Sequence, residues 1–389
     1  MEFMRANPGG IVAPEDVIGR DKLIDHLWRV LETQSVVLTS ERRVGKTSVI
    51  RKMFDSAGPV KACFFRDVEG FRSPREFIDG IYADVQSILS KKDKARLAMW
   101  KLLEKLDGAE IGNVKLPQVK QHWKDLFSAL FQDIFTDETR PVFFFWDELP
   151  LFLYNVKENS GEQDAMEVLD ALRALRQKYA KLRMVFTGSV GMHQVIGSLR
   201  EHGYANDPTN DMLTIEVPPL HPDDGSHLAS LLLEGESITV LGDAAEVSRK
   251  VSNAAGHIPY YVHCLVSRIR NAGGRVDAHR VTSCLDDLIS DPNDPAHFQY
   301  YQSRLTTYYG SVEARLALHA LDALASLGRP AKFPELLNLV RHKSVDAEEE
   351  PFREVLLVLL KDHYLFRSSD GTYSFRYSIV QNWWKYTRA

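Results

Sequence analysis

The sequence predicts an α/β protein in which a parallel five-stranded sheet is followed by a small helical domain and a carboxy-terminal domain. Two observations support this fold class. Five short apolar segments alternate with helical patterns in the first 220 residues, as expected for a parallel sheet. After Pro218-Pro219 the strand pattern stops and helical patterns continue to about residue 290. A linker, Asp291–Pro295, then leads into the last region. The predicted domains are therefore residues 1–220, 221–290 and 296–389.

The predicted strands are rich in β-branched and aromatic residues, and each is bounded by a loop pattern. They are Ser35–Thr39, Val60–Phe65, Val142–Trp146, Arg183–Thr187 and Leu213–Val217. The third strand is an uninterrupted apolar run, which suits burial on both faces of a sheet. Helices are predicted at Trp123–Phe135 and Gln163–Tyr179. The charged stretch Lys91–Lys105 is interpreted as an amphipathic helical insertion.

The carboxy-terminal region has the pattern of a winged helix, which combines three helices with a hairpin. The helices are predicted at Val312–Leu327, Phe333–Val340 and Phe352–Asp362, and Ser368–Gly371 forms the hairpin turn. The aromatic end, with Trp383 and Trp384, is expected to pack on this domain and to cover part of the apolar stretch Val355–Leu360. Each such side chain buries ~150–250 Å². The alternative is that these aromatic residues bind a partner.

Composition excludes several classes of protein. The 389 residues carry a formal net charge of −5, so no overall positive charge draws the chain to nucleic acid. The three cysteines are far apart, which predicts neither a disulfide framework nor a zinc site, and a reducing cytosol is expected. His257 and His263 are interpreted as packed or exposed residues rather than metal ligands. No apolar run approaches the ~20 residues that span a bilayer, so we expect a cytoplasmic protein with no membrane partner.

A candidate phosphate-binding loop lies between the first predicted strand and the following helix. It reads Ser40-Glu-Arg-Arg-Val-Gly-Lys-Thr47, whereas the full P-loop pattern has glycine at the position of Ser40. Gly45-Lys46-Thr47 alone would be weak evidence, but strand, loop and helix are the context that the motif needs. Loop amides and the helix N-terminus then point at one anion. Lys46 would bind the β- and γ-phosphates of ATP, and the Thr47 hydroxyl would ligate Mg²⁺.

An acidic pair, Asp147 and Glu148, follows the third predicted strand. Ligands bind at the carboxyl ends of parallel strands, and an apolar strand that ends in Asp-Glu is the Walker B pattern. Asp147 would hold Mg²⁺, through water, and Glu148 would act as general base on the attacking water. The alternative is an acidic pair that caps a helix.

Two further segments could face the nucleotide. The fourth predicted strand ends near Thr187 and Ser189, and either hydroxyl could bind the γ-phosphate or the attacking water, unless the segment is a plain turn. Gly256-His-Ile-Pro259 begins a helix of the second domain. Proline near the first turn is also explained by helix initiation alone.

Together these motifs resemble the AAA+/STAND superfamily of ATPases, close to the archaeal-type ATPases that also occur in bacteria. Val17-Ile-Gly-Arg20 resembles the opening Gly-Arg motif, which lies against the adenine, and Gly256–Pro259 resembles the Gly-x-Pro motif, where the lid domain meets the nucleotide. The resemblance implies catalytic roles for Lys46, Glu148 and Ser189, with Thr47 and Asp147 at the metal. It implies nucleotide contacts for Ile18, Gly19, Arg20, Arg43, Val44, Gly45, Lys46, Thr47, Ser48 and Pro259.

The sequence departs from this family at two places. Ser40 replaces the first P-loop glycine, and Asn206–Asp211 stands where the family often has a Gly-Arg pair. An arginine finger is therefore unassigned. Arg173 and Arg176 are candidates, although exposed helix arginines are the preferred interpretation. Hydrolysis could be slow or partner-dependent, because an arginine finger is worth ~10³–10⁵ in rate.

The leading functional hypothesis is an ATP-hydrolysing switch whose nucleotide state sets the arrangement of the lid and the winged helix. The alternative is a DNA-binding AAA+ ATPase of the initiator or transposition-helper type. Six consecutive apolar residues in the last predicted helix leave little polar face for bases, although nearby cations could contact phosphates. We therefore favour a protein partner or self-association over DNA. A scaffold that barely hydrolyses ATP is a third hypothesis, against which Glu148 argues.

Overall fold

The computed structural model describes residues 4–89, 110–111, 114–115, 123–343 and 347–389. The predicted insertion Lys91–Lys105 lies outside the described residues. The chain divides into two compact units. The first contains Met1–Leu23, Ser40–Val49 and Glu216–Ala389, and the second contains Ile24–Thr39 and Ile50–Ile215. The candidate phosphate loop thus belongs to the unit that holds the carboxy-terminal half of the chain. The predicted domain boundaries stay a prediction.

The second unit is built on a five-stranded sheet. Its strands are β1 (Ser35–Thr39), β2 (Ala62–Asp67), β3 (Val142–Asp147), β4 (Leu182–Phe186) and β5 (Met212–Glu216), in the order β2-β3-β4-β1-β5. β2 pairs with β3, β3 with β4 and β4 with β1, each time in parallel. All five predicted strands are present, with bounds within two residues of the prediction. β1 and β3 therefore end at the same edge of the sheet, with β4 between them.

Helices cover the sheet because one of its interior strands, β3, is apolar on both faces. Every residue of β3 is buried. The Trp28 ring meets the rings of Phe143 and Phe145 on one face, and Phe77 meets Trp146 on the other. The helices of this part of the chain are α1 (Asp21–Leu31), α2 (Lys46–Asp55), α3 (Pro74–Val85), α4 (Trp123–Asp137), α5 (Leu149–Ser160), α6 (Glu162–Lys178) and α7 (Met192–Arg200). Glu110–Ile111 and Val114–Lys115 form a short antiparallel pair.

The chain after the sheet is helical, as predicted. Its helices are α8 (Pro222–Gly235), α9 (Ala244–Ala254), α10 (Pro259–Asn271), α11 (Ala278–Ser290) and α12 (Gln299–Tyr308). Thr239–Val240 and Arg275–Val276 form a short parallel pair beside them. Within the residues that the structure describes, there is no helix with the length and apolar character needed to cross a bilayer.

The last part of the chain contains the three predicted helices and the predicted hairpin. In order, its elements are α13 (Ser311–Leu327), β6 (Ala331–Lys332), α14 (Phe333–Lys343), α15 (Glu349–Lys361), β7 (Leu365–Arg367), β8 (Thr372–Phe375) and α16 (Ser378–Arg388). β6, β8 and β7 form an antiparallel sheet in that order. The strand β6 and the helical form of the terminal segment were not predicted.

The aromatic end of the chain is part of the core, as predicted. Trp383 and Trp384 are 4% and 0% exposed, and the Trp383 ring stacks on Phe298. The main partner of the terminal helix was predicted wrongly. We expected the stretch Val355–Leu360, but α16 packs mainly against α13, α11 and β8. The reason is polar: the indole Nε1 of Trp384 donates to Asp322 on α13 over 2.8 Å, and buried polar groups need such partners.

Candidate functional site

Two residues of the candidate phosphate loop have a left-handed backbone conformation. Gly45 has a φ of +103° and Arg43 a φ of +74°, so the loop turns through the left-handed region twice. A Cβ on Gly45 would meet nothing within 4 Å, so its glycine is explained by backbone conformation rather than by crowding. α2 then begins at Lys46 with no acidic residue in its first turn. The amides of a helix N-terminus favour an anion, and no carboxylate of this turn opposes one.

Lys46 lies underneath its own loop. The side chain is 7% exposed, and Nζ donates to the carbonyl oxygens of Ser40 and Glu41 over 2.8 and 3.2 Å. Ser40 does not have a positive φ, so serine replaces the usual glycine without backbone strain, and its hydroxyl donates to the Glu41 carbonyl. Thr47, the predicted magnesium ligand, is exposed, and Ser48 is half-buried.

Arg20 fixes the loop from the amino-terminal side. Its guanidinium is buried and donates to the carbonyl oxygens of Val44 and Pro218, each over 2.8 Å. Burial lowers the pKa of Arg20 to about 10, and nearby Asp224 opposes that shift. Gly19 has a φ of +67°, and a Cβ there would lie 2.6 Å from the Asp224 side chain. Arg20 of the predicted adenine motif therefore holds the loop in place through these hydrogen bonds. Ile18 is half-buried, and its contact with adenine stays a prediction.

Arg43 connects the loop to the predicted lid segment. Its guanidinium carbon lies 3.8 Å from the ring centroid of Tyr260, and its NH1 donates to the Ala296 carbonyl over 3.1 Å. Tyr260 follows Pro259, which occupies the first turn of α10. The side chain of Arg43 is thus directed at protein groups, and its backbone is the part of the residue that can face a nucleotide.

The acidic pair lies in the sheet unit. Asp147 is the buried last residue of β3, and its Oδ1 accepts the Glu148 amide. Glu148 has a φ of +57°, which non-glycine residues adopt uncommonly and at some cost. It occupies the N-cap of α5, but its side chain makes no capping bond. The capping alternative is therefore wrong for Glu148.

Ser189 holds the Glu148 side chain. Glu148 Oε2 accepts from both the amide and the hydroxyl of Ser189, each over 2.8 Å. Gly188 makes this approach possible, because a Cβ there would lie 2.7 Å from Pro150 Cδ. The segment after β4 is thus more than a plain turn. The contact of Ser189 with Glu148 was missed by the sequence analysis, which assigned the hydroxyl to phosphate or water.

Thr187 behaves differently from Ser189. Its amide donates to Trp146 and its carbonyl accepts from Leu149, so its backbone continues the sheet ladder. Its hydroxyl is buried without a hydrogen-bond partner among the described residues. Of the two predicted hydroxyls, only Ser189 contacts the acidic pair.

Arg176 is not the exposed helix residue that the sequence analysis preferred. It is buried, and its guanidinium binds both carboxylate oxygens of Asp211 over 2.8 and 2.9 Å and the Pro208 carbonyl over 2.6 Å. Asp211 ends the stretch in which the family's Gly-Arg pair is missing. The pair forms because a buried guanidinium needs a counter-charge. Arg173 is half-buried.

The two predicted non-ligand histidines make ordinary polar contacts. His263 is buried and its Nδ1 accepts the Asn7 amide, and burial lowers its pKa to about 4. His257 Nδ1 lies 2.8 Å from the Ser252 hydroxyl. Across the described ranges, no cluster of histidine, cysteine or acidic side chains has a metal-binding arrangement.

The fold matches solved structures over nearly its whole length. The Walker-type ATPase of Pyrococcus abyssi superposes with a TM-score of 0.63 at 15% identity, covering 95% of this chain and 97% of that one. The ORC2 protein of Aeropyrum pernix, in its ADPNP–ADP complexes, gives 0.56 at 11% identity, covering 94% of each chain. This chain has the fold of an AAA+ P-loop ATPase. The predicted fold class is thereby confirmed.

The structural similarity is accompanied by low sequence identity. The ADP form of the Aeropyrum pernix ORC2 protein covers 100% of both chains with a TM-score of 0.50 and 11% identity. No protein-family model and no curated protein matches the sequence. Roles of single residues in this AAA+ fold therefore have to be argued from the chain's own geometry.

Proposed function

We propose that the chain is a magnesium-dependent ATPase whose phosphate loop, Ser40–Ser48, binds the phosphates of ATP. The observation that carries the proposal is the loop itself: a left-handed Gly45, a helix N-terminus without acidic residues, and a lysine held at the loop. These features together provide amide donors and one positive charge for a polyphosphate.

The residues present fit a nucleotide and its metal. Lys46 Nζ is bound to neutral carbonyl oxygens, and phosphate oxygens are stronger acceptors because the hydrogen bond is then charge-assisted at both ends. Thr47 and Asp147 would hold Mg²⁺, which prefers hydroxyl and carboxylate oxygens. The ion would neutralise charge that develops between the β- and γ-phosphates.

Glu148 would be the general base for hydrolysis. Its Oε2 is fixed by two donors of Ser189, which leaves Oε1 to accept the proton of an attacking water. β1 and β3 are parallel strands of one sheet, so their carboxyl ends share an edge, and the phosphate loop continues β1 in the chain. Ser189 acts in this proposal by orienting the base, and Lys46 by stabilising phosphate charge.

The finer part of the proposal is a nucleotide-driven switch. Arg20 and Arg43 attach the phosphate loop to Pro218, before α8, and to Tyr260 of α10. A nucleotide that changes the loop would therefore change the contacts of the lid helices. Such a switch requires different binding free energies in the two states. Small-angle scattering of the apo, ADP and ATP-analogue forms should give different profiles, and identical profiles would contradict the switch.

The DNA-binding alternative is weakened because several carboxy-terminal cations are paired with acids. Six cations were predicted as candidates for phosphate contact: Arg353, Lys361, Arg367, Arg376, Lys385 and Arg388. Three of them pair with acids, Arg353 with Glu349, Arg376 with Glu216 and Arg388 with Asp322. The exposed positions of α15 include Glu350, Glu354, Leu357 and Lys361, so two acids and a leucine lie on the face that would meet DNA. A protein partner, or a second copy of the chain, fits this surface better than DNA. Mobility shifts at low and high salt would reveal phosphate-led binding, which weakens steeply with salt.

The proposal is tested by a lysine variant and its control. Lys46→Ala should weaken binding of ATP by on the order of 100-fold or more, because the phosphates lose a charge-assisted contact. Lys22→Ala, an exposed lysine at the start of α1, should bind as the unchanged protein does. Titration calorimetry with ATP and Mg²⁺ measures both. Wild-type affinity in Lys46→Ala would overturn the assignment of the loop.

A further inference from the structure

Glu41, the second residue of the phosphate loop, is completely buried. Its exposed fraction is 0%, and its Oε1 accepts from the Arg42 amide over 2.8 Å and from Arg304 NH1 over 3.3 Å. Its Oε2 has no hydrogen-bond partner within the part of the chain that the structure describes. Burying a carboxylate is costly unless a cation lies beside it, and Arg304 is the cation in contact here. The loop is thus anchored at Glu41 through its contact with Arg304.

Arg304 connects this anchor to the carboxy-terminal helices. It lies on α12, is 4% exposed, and its NH2 donates to Asp362 Oδ1 over 2.8 Å. Asp362 directly follows α15 and is itself buried, and its Oδ2 accepts the Tyr309 hydroxyl over 2.6 Å. One guanidinium therefore holds a carboxylate of the phosphate loop and a carboxylate at the end of α15.

Arg304 and Lys46 are the two cations that act on Glu41. Two carboxylates share one guanidinium, and the positive end of Lys46 is held at the carbonyl of Glu41. Burial raises the pKa of Glu41, and Arg304 and Lys46 oppose that rise. Arg304 has the larger effect of the two, and a phosphate that draws Lys46 toward itself would leave Arg304 as the remaining cation beside Glu41. The interaction between Glu41 and Arg304, which holds the loop, should therefore become stronger when a nucleotide is bound.

We propose that Arg304 is a positioning residue of the nucleotide site. Through Glu41 it holds the phosphate loop in the form that receives phosphates, and through Asp362 it ties that form to α15. The inference rests on the proposed function, since it needs a nucleotide at the loop. Coupling of this kind is reciprocal, so loss of the contact weakens nucleotide binding and nucleotide steadies the contact.

The test measures nucleotide binding and turnover of the full chain. Glu41→Gln keeps the shape of the side chain but removes its charge. We expect the Kd for ADP with Mg²⁺ and the KM for ATP to rise roughly five- to tenfold, within the usual range of coupling between sites. kcat should stay within about twofold, because Glu148 and Ser189 are unchanged. Arg304→Lys keeps the charge but loses the two guanidinium nitrogens that bind Glu41 and Asp362. It should also raise the Kd and the KM without changing kcat, and it provides the test if Glu41→Gln does not fold.

The matched control is Arg388→Gln, which removes another guanidinium from the carboxy-terminal helices. Arg388 pairs with Asp322, far along the chain from the loop residues. It should lower the Tm and leave the Kd unchanged. If Arg388→Gln weakened ADP binding to the same extent, the cause would be a general loss of stability and the inference would be overturned. A wild-type Kd in both Glu41→Gln and Arg304→Lys would also overturn it. If the unchanged protein binds no ADP or ATP, the proposed function fails as well, which separates the two failures.

Discussion

The phosphate loop and the acidic pair are supported by the chain in different ways. Contacts of the loop reach far along the sequence: Arg20 binds a residue 198 positions away, Arg43 one 253 away and Glu41 one 263 away. Glu148 is instead held by Ser189, 41 positions away, where the neighbouring strands β3 and β4 end. The acidic pair is positioned by the ends of neighbouring strands, whereas the loop is positioned by contacts with the carboxy-terminal half of the chain.

This difference separates binding from turnover. Changes in the carboxy-terminal half that reach Arg304, Ala296 or Pro218 should alter nucleotide affinity first. Changes at the ends of β3 and β4 should alter the rate of hydrolysis first. The predictions for Glu148, Ser189 and Trp384 test this separation, and the prediction for His263 tests the stability of the unit that carries the loop.

The largest effect is expected for Glu148→Gln. The amide oxygen can still accept from Ser189, but the side chain can no longer take a proton, so kcat should fall about 10²–10⁴-fold. ATP affinity should stay unchanged, because Lys46 and the loop are intact. Phosphate release and equilibrium binding measure the two quantities. Glu158→Gln, an exposed acid on the same helix α5, is the control. Turnover within twofold of wild type would show that another group activates the water.

Acid should destabilise the unit that carries the loop, through His263. Burial lowers the pKa of His263 to about 4, whereas an unfolded histidine titrates near ~6.5. The unfolded state therefore binds the proton more tightly, so this stabilisation is complete above pH ~6.5 and is lost as pH falls through about 4. The loss amounts to roughly 3 kcal/mol at ~1.4 kcal/mol per unit of pKa. His363, whose pKa burial lowers to about 3, acts in the same direction.

Urea unfolding between pH 7 and pH 4 measures this loss. His263→Gln should flatten the fall of the unfolding free energy with acid, although His363 keeps part of it. His26→Gln, at an exposed position on α1, should leave the slope unchanged. A His263→Gln variant with the full slope would show that the acid sensitivity arises elsewhere.

The two parts of the molecule were also predictable to different degrees. The strands follow from patterns within about ten residues, so the sequence was sufficient for them. The loop and the acidic pair were located by patterns of similar length, and their roles stay predictions. The pair of Glu41 with Arg304 is set by packing between distant segments, and no local pattern of Glu41 indicates it. Arg176 was misread for the same reason, because its partner Asp211 is 35 residues away. The sequence alone did not show whether serine can replace the P-loop glycine at position 40. The backbone shows that it can, because Ser40 does not have a positive φ.

Ser189→Ala tests how firmly the sheet holds the base. The variant loses the hydroxyl bond to Glu148 Oε2 but keeps the bond from the amide. A hydrogen bond to a charged group is worth ~1.5–3 kcal/mol, and with one of two donors kept we expect kcat to fall about tenfold. ATP affinity should not change. Ser198→Ala on α7, whose hydroxyl donates to the Val195 carbonyl of the same helix, is the control. A change in Kd without a change in kcat would place Ser189 at the phosphate, as the sequence analysis expected.

The smallest effect is expected for Trp384→Phe, which tests whether every change in the carboxy-terminal half reaches the loop. The phenyl ring keeps most of the burial, but the bond from Nε1 to Asp322 is lost. Asp322 stays paired with Arg388, so the unfolding free energy should fall by only about 1–2 kcal/mol. Because Trp384 acts on α13 and not on Arg304 or Asp362, ADP affinity and kcat should both stay at wild-type values. Trp383→Phe, which removes no bond to Asp322, should lower stability through packing alone. If Trp384→Phe weakened ADP binding as much as Glu41→Gln, the loop would depend on the whole carboxy-terminal core rather than on the Arg304 contact. Nucleotide affinity would then be set by the stability of that core and not by a few contacts of the loop.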